Sequence, residues 1–286
     1  ALARATGEAR WSELARALVD DVHRVLGRHR PDDARHGWIS GLGEEEGARH
    51  PTAGGLRIGK PLPERAAGEP PDDRLEWERD GQYFHYLTKW MHALDQMARA
   101  TGDATYERQA HELARRAHAA FAWQPPPGTR RRLYWKCSID LSRPQVASMG
   151  QHDALDGFVP CVQLDAGNAG VAPALQDLAR DYATRLPGAS LATADPLGLG
   201  GLLADAYRVH QLARGGELGD DGRLVELLLA SAVAGLEVYA SEPDLEAAAT
   251  RRLAFRELGL VIGLSAVSRF GGDPAGGVGV ARWLSR

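Results

Sequence analysis

Apolar residues along this chain recur mostly at the three-and-four spacing of one helix face. Trp11, Leu14, Ala15, Leu18, Val22, Val25 and Leu26 make the first such stripe, and Gly27 supplies a stop. From Glu76 the stripe Asp80, Tyr83, Leu87, Trp90, Leu94 and Met97 runs to Gly102, which predicts one helix over 76–101. Asp103 suits an N-cap for the next helix, whose stripe is Tyr106, Ala110, Leu113, Ala117 and Phe121. Further helices are expected from about His152, over 171–186, 196–213, 222–240 and 254–269, with a short one from about Val278. Outside them only Arg132–Ile139 approaches a strand pattern, so the reading is all-α.

The helices pair through similar turns: Ala-Thr-Gly-Asp at 100–103, Asp-Ala-Gly-Asn at 165–168, Arg-Gly-Gly-Glu at 214–217 and Phe-Gly-Gly-Asp at 270–273. Such recurrence suggests repeated hairpins. The first helix of each pair is apolar on several faces and the second is amphipathic, which places one inside and one outside. Residues 28–75 and 123–150 are long, rich in Gly, Pro, Arg and Trp, and read as loops. The expectation is a single domain over 1–286, an α/α toroid of inner and outer helices with long loops on one rim.

Trp77-Glu-Arg-Asp-Gly-Gln-Tyr-Phe-His-Tyr-Leu-Thr-Lys-Trp-Met-His-Ala-Leu, running into Ala-Thr-Gly-Asp-Ala-Thr-Tyr106, resembles an inner–outer hairpin of the six-hairpin glycosidase-like superfamily. The look is nearest to its N-acylglucosamine 2-epimerase and glycoside hydrolase branches. The local likeness covers about 50 residues and the hairpin alternation most of the chain. Nine helices are counted where a full six-hairpin ring has twelve, which leaves the ring incomplete or some helices hidden in the long loops. The resemblance implies a carbohydrate-active enzyme acting on a small sugar or an oligosaccharide in a central cavity.

Composition narrows the classes. With 34 Lys+Arg against 38 Asp+Glu, the net charge of −4 argues against a nucleic-acid partner. Two cysteines, Cys137 and Cys161, make no disulfide framework. The apolar stretches Leu224–Tyr239 and Leu258–Val267 read as too short or too charged to span a bilayer, and no basic–apolar–small pattern opens the given residues. A cytoplasmic protein without membrane partner or cofactor is expected.

Candidate chemistry gathers at helix starts and rim loops. Asp80 shares a stripe with apolar residues, so its carboxyl should be buried and its pKa raised, as a general acid requires. Arg79, Gln82, Tyr83 and His85 stand beside it as substrate contacts. Gln151, His152, Asp153 and Asp156 open a second inner helix. His152 and Asp156 share a face, so an Asp-oriented His could serve as base or proton shuttle, and Asp153 points elsewhere. A cap role for Asp153 is an even alternative. His152 with Asp156 gives only two metal ligands, so no metal is assigned. Trp135 could stack on a sugar, with Asp140 and Arg143 on hydroxyls or a carboxylate; Trp38 in the earlier loop is a vaguer candidate. Glu257 could be the second carboxylate, against a structural pair with an arginine.

Two function classes follow on sugars. A hydrolase would pair an acid (Asp80 or Glu257) with a second carboxylate or the His152 region, and an epimerase would move protons through histidines such as His85 and His152. A third reading is a non-catalytic toroid that binds glycan or protein.

Overall fold

The computed structural model describes residues 2–123, 132–168, 170–186, 190–219, 222–241 and 247–270. The terminal helix expected from Val278 lies outside the described residues. Eleven helices and five strands of two or three residues occur among those described, so the chain is mainly helical, as its periodicity implies. Two compact units divide it, residues 1–185 and 186–286.

The first unit contains α1 (Leu2–Thr6), α2 (Arg10–Leu26), α3 (Glu44–Arg49), α4 (Asp73–Glu78), β1 (Gln82–Tyr83), α5 (Phe84–Thr101) and α6 (Ala104–Phe121). After them come β2 (Ala122–Trp123), β3 (Arg132–Leu133), β4 (Lys136–Cys137), β5 (Pro144–Val146), α7 (Asp153–Gly167) and α8 (Gln176–Ala183). α5 packs against α6, α7 and α2, and α8 packs against α7. The α5–α6 turn is built as its sequence requires. Gly102 takes a left-handed φ of 70°, and the Asp103 carboxylate accepts the Thr105 amide at 2.9 Å. α7 is the most enclosed element, with ten of its fifteen residues buried. Gly157 lets α7 close on the ring of Tyr182 in α8, because a Cβ there would fall 2.7 Å from the ring.

The single helix expected over 76–101 is broken. α4 ends at Glu78, residues 79–83 are extended, and α5 begins only at Phe84. Tertiary partners override the helical pattern here. The Asp80 carboxylate accepts the amides of Gly59 at 2.8 Å and Gly81 at 2.9 Å. Gly81 has φ 153° and sits so close that a Cβ would lie 2.7 Å from the Cys137 carbonyl oxygen. This extended stretch becomes β1, the edge of an antiparallel sheet ordered β1-β4-β5, in which Gln82 faces Cys137 and Tyr83 faces Lys136. The Arg132–Ile139 strand pattern is thus realised in two short pieces, β3 and β4. A third departure comes in 171–186, where helix starts only at Gln176. The Asn168 side chain instead accepts the amides of 170–172 in a turn.

The second unit contains α9 (Pro196–Arg214), α10 (Gly222–Ser241) and α11 (Ala254–Val267). Asp195 caps α9 by accepting the Gly198 amide at 2.9 Å, with Pro196 at the first position. α9 packs on both other helices. Its contact with α11 is backbone on backbone. A Cβ on Gly200 would lie 2.0 Å from the Gly259 carbonyl oxygen, and one on Gly263 would lie 2.5 Å from that of Gly200.

α10 corrects the expectation that 224–239 is too short or too charged for a bilayer. It runs 20 residues with a mean hydropathy of 1.6, long and apolar enough to cross a membrane by length and composition alone. Its buried positions, Val225, Leu228, Leu229, Ala232, Gly235 and Leu236, nevertheless form one stripe, as in a helix packed on a neighbour through one face.

Candidate functional site

Four residues expected at the site are placed together where α5 and α7 begin. Trp135 is tied to the start of α5 by the Phe84 amide, which donates to its carbonyl at 3.2 Å. The Trp135 ring lies nearly parallel to that of His85, at 16° and 6.1 Å between centroids. One turn further along α5, the Lys89 ammonium is 2.6 Å from Asp156 Oδ1 on α7. Asp153, in the first turn of α7, completes the group.

A buried polar tie holds these two helices in register. Asp95 of α5 accepts from Gln163 Nε2 of α7 at 2.5 Å and from Arg99 Nε at 2.9 Å. Arg99 in turn donates to the Gln163 carbonyl at 3.3 Å. Such a satisfied network fixes one arrangement of the two helices, and with it the spacing of their first turns.

Asp153 has the most perturbed chemistry in this group. Its residue is 3% exposed, and Oδ2 accepts the Gly150 amide at 2.6 Å. Among the described residues no arginine or lysine forms an ion pair with it. Burial, reinforced by the neighbouring Asp156 carboxylate, pushes its carboxyl up to about 7, against the pull of Lys89 and the Gly150 amide. Gly150 is needed there, since a Cβ would lie 2.5 Å from Asp153 Oδ1. Burial also lowers the His85 imidazole below its ordinary 6.5, despite Asp156. At neutral pH the site therefore combines a carboxyl poised to give or take a proton, a carboxylate held by an ammonium, and a neutral imidazole.

His152 stands at the N-cap position of α7 and Gln151 in the turn before it. The other expected residues belong elsewhere. Asp80 is 0% exposed, paired with Arg57 at 2.9 Å and Arg30 at 3.6 Å. Glu257, in the second unit, is held by Arg252 through two contacts of 2.6 Å. Arg79 pairs with Glu69 at 2.5 Å. Gln82 is buried, accepting the Leu56 amide and donating to the Gly54 and Ile139 carbonyls. Asp140 accepts from Ser138, Ser142 and Arg35, and Arg143 donates to the Arg65 carbonyl. Trp38 is buried beneath the Arg28 guanidinium, 4.3 Å from its ring centroid. Each of these side chains is engaged in holding its own part of the structure. Tyr83 is buried under the ring group, with its edge contacts at 5.0 Å to Trp135 and 5.8 Å to His85.

Two neighbours were not singled out by the sequence: Lys89 and Trp77. Lys89 was legible in principle, one helical turn beyond His85. Trp77 is brought to Trp135 by the break after α4, which periodicity does not reveal. Among the described residues no group of three His, Cys, Asp or Glu side chains is placed to hold a metal ion, and Cys137 and Cys161 are buried free thiols. Comparison with protein-family models, curated proteins and solved structures returns no match.

Proposed function

We propose that this chain is a carbohydrate-active enzyme of the glycoside hydrolase type, with Asp153 as the group that transfers the proton. The observation that carries this reading is a carboxyl nearly removed from water, without a cationic ion-pair partner among the described residues and pushed to about 7, one helical turn from the Asp156 carboxylate that pairs with Lys89. A general acid works best with a pKa near the operating pH, and a neutral carboxyl can protonate a departing glycosidic oxygen. Asp156, paired with Lys89, is the second carboxylate for activating water. Asp80 is not assigned this role, because it is 0% exposed between Arg57 and Arg30, nor is Glu257, which belongs to the second unit. The pairing of consecutive helices, α5 with α6, α7 with α8 and α9 with α10, is what supports an α/α toroid as the scaffold.

His85 favours a second reading. A half-buried imidazole kept neutral is a base of the kind a sugar epimerase needs beside a carbonyl.

The test is thermal-shift screening against neutral sugars and uronic acids, wild type beside Asp153→Asn, followed by product analysis. A ligand at 100 times its Kd adds about 2.7 kcal/mol, readily seen as a raised Tm. The expected result is one sugar class that stabilises both proteins and is turned over only by the wild type. A new reducing end marks a hydrolase and an inverted carbinol an epimerase. If no sugar stabilises either protein, the proposal fails.

A further inference from the structure

α11 in the second unit is apolar on both of its faces, and only one of them is covered. Its inner face is used up against α9: Gly259 and Gly263 meet Gly200 backbone to backbone, and Leu260 and Val267 are buried. On the outer face Leu253, Phe255, Leu258, Val261 and Ile262 are each between 55% and 59% exposed. Phe255, Leu258, Ile262 and the exposed Ser265 recur at intervals of three, four and three residues. That is the spacing by which one helix seats along another in a continuous seam.

Charge and area together point to the occupant. No charged side chain stands between Leu258 and Ser265. The charged residues that open α11 are already paired inside the unit, Glu257 with Arg252 at 2.6 Å and Arg256 with Asp195. The row therefore offers no anchor at its start to an acidic or a basic partner. In a two-fold pair each face meets its own copy, so a net charge on it would face its like, and a charge-free row avoids this. Five large side chains more than half exposed present on the order of 500 Å² of apolar surface, more than a monomer commonly leaves in one patch. Closed on a copy of itself, the row buries on the order of 1,000 Å² in all, the area a specific interface needs. We infer that the outer face of α11 is a self-association surface whose occupant is the same helix of a second copy of this chain, with the two-fold axis passing near Leu258 and Ile262.

Sedimentation equilibrium of the full chain at micromolar concentrations tests this, with Ile262→Glu and Ile262→Ser beside the wild type. Leu14→Glu is the control, since Leu14 is 61% exposed on α2 of the first unit and its variant adds the same charge elsewhere. The expected wild-type mass is twice that of the chain. Ile262→Glu should weaken the dimer about tenfold or more, Ile262→Ser less, and Leu14→Glu not at all. Helix content by circular dichroism should match the wild type in each, because Ile262 packs against nothing within the unit that its loss would expose. Should Ile262→Glu lose helix, Ile262→Ser decides. A monomeric wild type overturns the inference, whether lipid vesicles, another protein or the chain itself then proves to cover the face. A dimer that a folded Ile262 variant leaves at full strength overturns it as well, because the contact then lies elsewhere. Neither outcome bears on Asp153, which belongs to the other unit.

Discussion

Two buried aspartates in the first unit have opposite surroundings, and substitution should separate them. Asp80 is enclosed by Arg57, Arg30 and two backbone amides; Arg30 also pairs with Asp32, so Asp80→Asn leaves the buried Arg57 guanidinium without its carboxylate. Breaking such a pair costs about 3–5 kcal/mol. The expected outcome in chemical denaturation is a much lower midpoint. Asp153 behaves in the reverse sense. Its carboxyl is protonated up to about 7 in the fold but releases its proton near 3.8 in the unfolded chain. Between these values the native state holds the extra proton, so stability falls as pH rises from about 4 to about 7 and then levels off. The penalty at alkaline pH is on the order of 4 kcal/mol. Asp153→Asn should flatten that slope and raise the Tm at pH 8, while abolishing turnover. Activity that needs the protonated acid should decline above pH about 7. A variant that melts early at every pH would mean that Asp153 is a structural cap. Both aspartates stand in stretches whose pattern predicts burial. What pattern does not report is the partner, since Arg57 and Arg30 reach Asp80 from a loop at least 23 residues away.

At the scale of elements, spacing and punctuation carried most of the information where neighbours are local. The Asp103 and Asp195 caps, the Gly102 stop and the close packing at Gly200 are all written in short sequence signals. The break between α4 and α5 is not, because it follows from Gly81 lying against the Cys137 carbonyl, a contact across the sheet. Trp77, Trp135 and His85 therefore became one group only through a tertiary constraint. The Gly200–Gly259–Gly263 contact gives a firm prediction. Gly200→Ala would put a methyl 2.0 Å from a backbone oxygen, and neither helix can yield without separating from the other. Overpacking of this kind costs about 1–3 kcal/mol or more. Circular dichroism melts should show the loss, and Gly201→Ala, whose Cβ meets nothing, should not.

Across the whole molecule, the first unit places its two thiols at its sheet and in its most enclosed helix. Cys137 and Cys161 are each about 1% exposed, and burial pushes both up to about 12. Neither should react with a disulfide reagent at pH 8 in the folded protein, and both should react together as the unit opens in denaturant. Rapid labelling of Cys161 alone would show α7 opening on its own.

The scarcity of lysine gives the chain an unintended property. Of three amines on side chains, Lys136 is sealed at 0% exposure between Glu76 and two carbonyls, Lys60 is half-buried, and Lys89 is exposed beside Asp156. Among the side-chain amines, an amine-directed tag should therefore settle mainly on Lys89, one turn from His85. A dye or crosslinker attached there would act as a built-in reporter of whatever enters the space over Trp135, without any engineered attachment point.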